Sequence, residues 1–149
     1  MSEPGPGPGA RWRAGAPYIL SVVRIIAAFT FMQVGTAKLF AVPAAILPGG
    51  GTVQLWSLLG LAGVLETFGG LLMLLGLFAR PVAFVLSGEM AVAYFWGHAI
   101  HGFWTVLNQG MPAVLFCFLW LYLSAAGPGP WSLDALRRGG SDAARAGGG

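Results

Sequence analysis

Apolar residues fill four long stretches of this chain, and glycine, proline and arginine interrupt them. The stretches cover about 18–40, 53–77, 81–98 and 105–126. Each is near the roughly 20 residues a helix needs to cross the hydrocarbon core of a bilayer. The third reaches that length only by running into the segment that holds His98 and His101. Breaks fall at Phe78-Ala79-Arg80-Pro81 and at Gly127-Pro128-Gly129-Pro130. Arg11 and Arg13 precede the first run, as in a signal peptide. That run is longer than the roughly 7–15 apolar residues of a signal sequence, so it is expected to stay as a membrane helix. The pattern predicts an all-α membrane protein, a bundle of four transmembrane helices over residues 18–126.

The flanks read differently. Residues 1–17, rich in Gly and Pro, are expected to be a disordered tail. Residues 127–138 fit a short interfacial segment, with Ser132 as N-cap, Asp134 in its first turn and Arg137 and Arg138 near its end. Trp131 could staple onto Leu136 there. Residues 139–149 read as a second disordered tail.

Composition fixes the solvent. Of 149 residues, 56% are hydrophobic and 9% charged, against about 25% charged in soluble domains. Mean hydropathy is +0.74. So few charges cannot cover a water-soluble domain of this size, and the lipid bilayer is the expected partner. The net charge of +3 could suggest nucleic acid, but the basic residues are sparse and sit at the ends of apolar runs. They form no basic patch, so no nucleic-acid partner is expected. They read as topology signals. Arg11, Arg13, Arg80, Arg137, Arg138 and Arg145 fall on one side, while loops 41–52 and 97–104 contain no Lys or Arg. The positive-inside rule places both termini in the cytoplasm and the histidines outside. The single Cys117 rules out a dithiol mechanism carried by this chain and is expected to pack in an apolar run.

Ionisable groups inside a membrane are functional hypotheses by default. Arg24, Lys38, Glu66 and Glu89 are such groups, joined by Gln33 and Asn108. At a rise of about 1.5 Å per residue, Arg24 lies about 9 Å, Glu89 about 12 Å and Glu66 about 16 Å from the cytoplasmic ends of their spans. Arg24 is therefore expected to bridge to one or both carboxylates, with Gly63 and Gly70 beside Glu66 permitting close helix approach. Such a trio could handle protons or hold a ligand. Its structural reading is an ion pair that sets helix register. Lys38, about 21 Å along the helix from Arg24, is expected to snorkel to the outer surface. The alternative makes it a cation site at the outer rim with Asn108 and His98. His98 and His101 lack a third ligand nearby, so no metal or haem is expected. With Trp96, Phe103 and Trp104 they suit an interfacial polar and aromatic belt. Pro112 should free the carbonyl of Asn108 and bend the start of the fourth span.

The segments QVGTAKLF, LETFGGLLMLLGLFARPVAFVLSGEMAVAYFWGHA and GPGPWSLD resemble the DoxX family of small bacterial membrane proteins. The similarity runs from about Arg24 to Asp134. It implies a four-helix bundle in the bacterial cytoplasmic (inner) membrane, and a link to thiosulfate–quinone oxidoreductases and membrane redox or detoxification complexes. Arg24, Lys38, Glu66, Glu89, His98 and Asn108 match polar positions expected in the family. Two positions depart from its pattern. Val34 stands where a histidine is common, and Asn108-Gln109-Gly110-Met111 replaces Asn-Gly-Gly-Glu.

These readings favour a supporting membrane subunit or anchor of a quinone-linked redox complex over an enzyme acting alone. No cofactor is expected to be built in, and a quinone is the class the resemblance implies. The outer-side ligand candidates are Lys38, His98, His101, Asn108, Trp96 and Trp104. Arg24, Glu66 and Glu89 are the candidates for proton handling. A structural accessory subunit without redox chemistry and a small homo-oligomeric transporter are the alternatives.

Overall fold

The computed structural model describes residues 8–146, and within these every regular element is helical. Helix α1 spans Pro8–Phe40, α2 Leu58–Leu75, α3 Ala79–Ala93, α4 Met111–Ala126 and α5 Leu133–Ala146. A π turn at Tyr94–His98 and a 3-10 turn at Ala99–His101 extend α3. A second π turn, Leu65–Gly69, lies inside α2.

The bounds differ from the sequence expectation for local reasons. Helix α1 starts ahead of residue 18, so residues 8–17 continue the apolar helix instead of forming a tail. Extending an existing helix needs one residue fixed per hydrogen bond, whereas starting one needs several. Its 33 residues measure about 50 Å and outrun a hydrocarbon core of about 30 Å. Residues 139–146 likewise continue α5, and the outermost parts of both expected tails, 1–7 and 147–149, lie outside the described residues. Helix α2 waits for Ser57, whose hydroxyl accepts the Gly60 amide at 3.0 Å. Helix α4 waits for Asn108, whose Oδ1 accepts the Gly110 amide at 2.8 Å. Pro112 then occupies the first turn, where its missing N–H leaves no gap. It starts α4 rather than bending it. Ser132 does cap α5, accepting the Ala135 amide at 3.2 Å. Trp131 meets Tyr18 in a tilted ring contact at 5.7 Å, and Leu136 is exposed, so no staple forms.

Helices α1 and α2 run side by side through glycines. A Cβ on Gly35 would sit 2.5 Å from Thr67 Oγ1, and one on Gly70 would sit 2.5 Å from Met32 Cγ. Helices α3 and α4 form the other close pair, tied by the Ser87 hydroxyl donating to the Cys117 carbonyl at 2.9 Å. Phe31 of α1 joins the pairs, edge-on to Trp120 at 5.4 Å and against Phe116 at 5.1 Å. The core is small: Phe31, Met73, Leu86, Trp120 and Leu123 are its large members.

The outside is apolar. Phe29, Phe84, Leu115 and Phe118 are each more than half exposed. A water-soluble monomer rarely shows so continuous an apolar surface. Trp12–Phe40 and Leu58–Leu75 are long and apolar enough to cross a membrane, and α4 is a shorter apolar helix. The protein has the character of a membrane protein.

The glycine contacts yield a test. Gly35→Ala puts a methyl against Thr67 backbone and side chain and should destabilise the protein by about 1–3 kcal/mol. Gly88, where a Cβ would meet nothing within 4 Å, should accept alanine without loss. Thermal unfolding of both variants in one detergent checks this, and equal stability would show that α1 and α2 do not approach as described.

Candidate functional site

The deepest cation is Arg24, fully buried in α1. Its guanidinium does not reach Glu66 or Glu89. It donates to four backbone carbonyls instead. Nη1 binds Met73 and, at 2.8 Å, Leu74; Nε binds Pro128 at 2.9 Å; Nη2 binds Trp131 at 2.5 Å. The cause lies at the end of α2. Gly76 adopts a left-handed conformation, with Gly76 N bonded to Met73 and Leu77 N to Leu72. That motif leaves Leu74 O without a backbone partner, and the last carbonyls of a helix carry partial negative charge. Arg24 supplies the donors. The expected trio of Arg24, Glu66 and Glu89 is thus divided, because the guanidinium turns toward the helix end and away from the carboxylates.

Two further groups complete this end of the bundle. Helix α3 has no capping side chain of its own. Asp134 supplies one from across the chain, accepting Phe78 N and Ala79 N at 2.9 Å each. Arg80 Nη1 closes the end of α4 on the carbonyls of Ser124 and Ala125, at 3.3 and 2.5 Å. Neither role was read from the sequence. The signal was present: a helix that starts Phe-Ala-Arg-Pro has no Ser, Thr, Asp or Asn before it and must borrow a cap.

Lys38 does not snorkel outward. Its Nζ lies 2.6 Å from Glu66 Oε1, with the two side chains 16% and 3% exposed. Gly63 faces Lys38 and Leu39, and Gly35 faces Glu66. These glycine contacts set Lys38 about one turn beyond Glu66, within reach of a long side chain. Glu66 Oε2 and both oxygens of Glu89 are buried with no hydrogen-bond partner in the protein. Glu89 lies within electrostatic range of both Glu66 and Lys38.

Lys38 and Glu89, but not Glu66, line a cavity of about 700 Å³ beside α2 and α3. Leu58, Leu61, Leu65, Val85 and Val92 form apolar walls, and Lys38, Glu89, Trp96 and His98 add polarity. The His98 ring is held by Asn108, Nδ1 to carbonyl at 2.9 Å. A carbonyl can only accept, so Nδ1 carries a proton and Nε2 of the neutral ring is left as an acceptor. Asn108 itself is buried, donating to Gly102 O at 2.7 Å, and acts as a loop brace behind the cavity. His101 and Trp104 are exposed and do not line it. Val34 and Met111, the two departures from the family pattern, are exposed and also lie off its walls.

An all-helical, lipid-suited chain with charged groups inside is a membrane protein with a buried polar site. More closely, this chain belongs to the DoxX family, whose model matches residues 19–99. It is 42% identical over 121 residues to an uncharacterized protein of Haemophilus influenzae, covering 79% of this chain and 90% of that one. No solved structure matches it.

Removing one partner of a buried ion pair costs about 3–5 kcal/mol, and replacing both with apolar groups costs far less. Lys38→Met should therefore destabilise the protein by about that amount, and Lys38→Met with Glu66→Leu should recover most of the loss. A double-mutant cycle of thermal unfolding in detergent measures the coupling. Additive effects would mean the two side chains do not interact.

Proposed function

We propose that the chain is a four-span subunit of the bacterial inner membrane, with cytoplasmic termini, that holds a quinone headgroup between α2 and α3 and serves a partner oxidoreductase. The observation behind this reading is the cavity. Its volume of about 700 Å³ lies within the roughly 300–1,000 Å³ of small-molecule sites, and apolar walls with a few convergent polar groups are typical of them. Glu89 lines the cavity and has no hydrogen-bond partner in the protein on either oxygen, which suits a ligand that exchanges hydrogen bonds and protons.

Each residue then has a role. Lys38 keeps one donor on Glu66 and turns the others to a carbonyl oxygen. His98, held by Asn108, offers Nε2 to a hydroxyl. Glu89 takes or returns a proton, and the Lys38–Glu66 pair balances its charge. Trp96 covers the ring. A bound quinone would supply two-electron chemistry, with the electrons exchanged with the partner's redox centre. Two features support the topology. Arg13, Arg80 and Arg138 line one cavity, and Arg137 lies 5.2 Å over Phe78 at the start of α3. The extension of α3 to His101 brings its helical length near a full span.

Two measurements follow. A fluorescent protein fused after Gly149 should fold and fluoresce, and alkaline phosphatase fused after Phe103 should be active. The reverse pattern would invert the topology. Azido-ubiquinone photolabelling in nanodiscs should give saturable labelling of segments 58–65 and 85–98, competed by decylubiquinone. Gly88 lines the cavity with open space at its Cβ, so Gly88→Leu should fill it and cut labelling at least tenfold. Labelling that does not saturate, or that survives in Gly88→Leu, would rule out this site and leave the structural reading.

A further inference from the structure

A groove of about 320 Å³ lies along the seam between α2 and α3. It meets the polar cavity at Leu65 and Val85, which line both. Beyond them it continues past Phe68, Leu72, Pro81 and Val82, toward the C-terminal end of α2. Every residue along it is apolar. Val82 stands seven residues before Glu89, so the groove runs about 10 Å from the level of the carboxylate. Phe68 and Val85 are each more than half exposed, so its mouth is on the outer surface of the bundle. Its floor is close-packed. A Cβ on Gly69 would sit 2.7 Å from Leu86 Cδ2.

We propose, building on the quinone reading of the polar cavity, that this groove holds the isoprenoid tail of the same ligand. A hydrocarbon chain gains little by leaving lipid for an apolar groove, because acyl chains are as apolar as leucine. The tail must therefore be selected by shape and by attachment. The walls are stiff: Val82 and Val85 are branched at Cβ, and Pro81 is cyclic. An isoprenoid tail has a methyl branch and a double bond in each unit. It therefore has fewer rotamers to lose against a fixed wall than a saturated acyl chain. A ring held beside Lys38 and Glu89 also keeps its tail at high effective concentration next to Leu65 and Val85. The polar cavity then selects the headgroup, and the groove selects the chain attached to it.

Two probes are compared on the full-length protein in phosphatidylcholine nanodiscs. Azido-ubiquinone reports the ring, and a ubiquinone whose isoprenoid tail carries a diazirine reports the chain. The tail probe should label segments 68–72 and 81–84 saturably and be competed by unlabelled isoprenoid ubiquinone. Val82→Phe, which fills the far part of the groove, should cut that labelling at least tenfold and leave ring labelling unchanged. Retained ring labelling also shows that the variant folds. Leu72→Phe fills the groove from the facing helix and should act alike. Gly88→Leu should lose both labels. Saturable ring labelling with tail label spread along the lipid-facing helices would overturn the tail site and leave the quinone reading standing. Tail label that survives both groove-filling variants would do the same. A diazirine-bearing phosphatidylcholine is the control. Its enrichment in the groove, undiminished by ubiquinone, would make the groove an acyl-chain site and overturn the proposal. Absence of saturable ring labelling would overturn the quinone reading and the tail site together.

Discussion

A helix that ends in or near a membrane leaves four carbonyls without amide partners, and little water is at hand to serve them. This chain meets that constraint with side chains brought from elsewhere in the sequence. Arg24 reaches from α1 to the end of α2 and to the loop after α4. Arg80 closes α4, and Asp134 opens α3. Each contact is charge-assisted, worth about 1.5–3 kcal/mol net. Each also joins segments far apart in sequence, so the clasp works as a set of long-range staples for a chain with one cysteine. Its geometry needs Gly76, because a side chain there would strike Ser132 and crowd the Arg24 guanidinium.

The clasp has consequences at the other end. Arg24 on Met73 and Leu74 fixes how far α1 slides along α2. With that register set, Gly35 falls opposite Glu66 and Thr67, and Gly63 opposite Lys38. The helices touch there, and the lysine can reach the glutamate. A slip of one turn, about 5.4 Å, would separate the pair and place Met32 or Leu39 against the wrong glycine. The ion pair and the cavity beside it thus depend on contacts at the far end of the bundle.

The sequence showed the helices more clearly than their partners. Four apolar runs bounded by Gly, Pro and Arg were visible because helix length and breaker residues are local properties. Two of their starts moved, to Leu58 just after the Ser57 cap and to Met111 just after the Asn108–Gly110 turn. The ion pairs were harder. Depth along a span follows from residue number, and a reach of several ångströms along a long side chain is not part of it. By depth Arg24 matches carboxylates near its Cα level, but its guanidinium binds carbonyls toward the helix end. Position alone suggests the outer rim for Lys38, either at the surface or in a cation site with Asn108 and His98. The glycines facing it across α2 held the information that it turns inward. The cavity was not visible at all, since it depends on how α2 and α3 separate above their contact at Gly69 and Leu86.

The two buried glutamates differ in a way that bears on mechanism. Glu66 is packed beneath Gly35 and bonded to Lys38, so its position is set by backbone contact and by a salt bridge. Glu89 lines the open cavity and has no protein partner on either oxygen. A group that passes protons must change partners, and only a side chain with adjacent space can do so. Glu89 borders such space through its place on the cavity wall, and Glu66 does not. Lys38 stands between them, bonded to one and in the field of the other. In the proposed quinone reading, Glu66 is therefore the fixed partner of Lys38, and Glu89 is the carboxylate on the cavity wall.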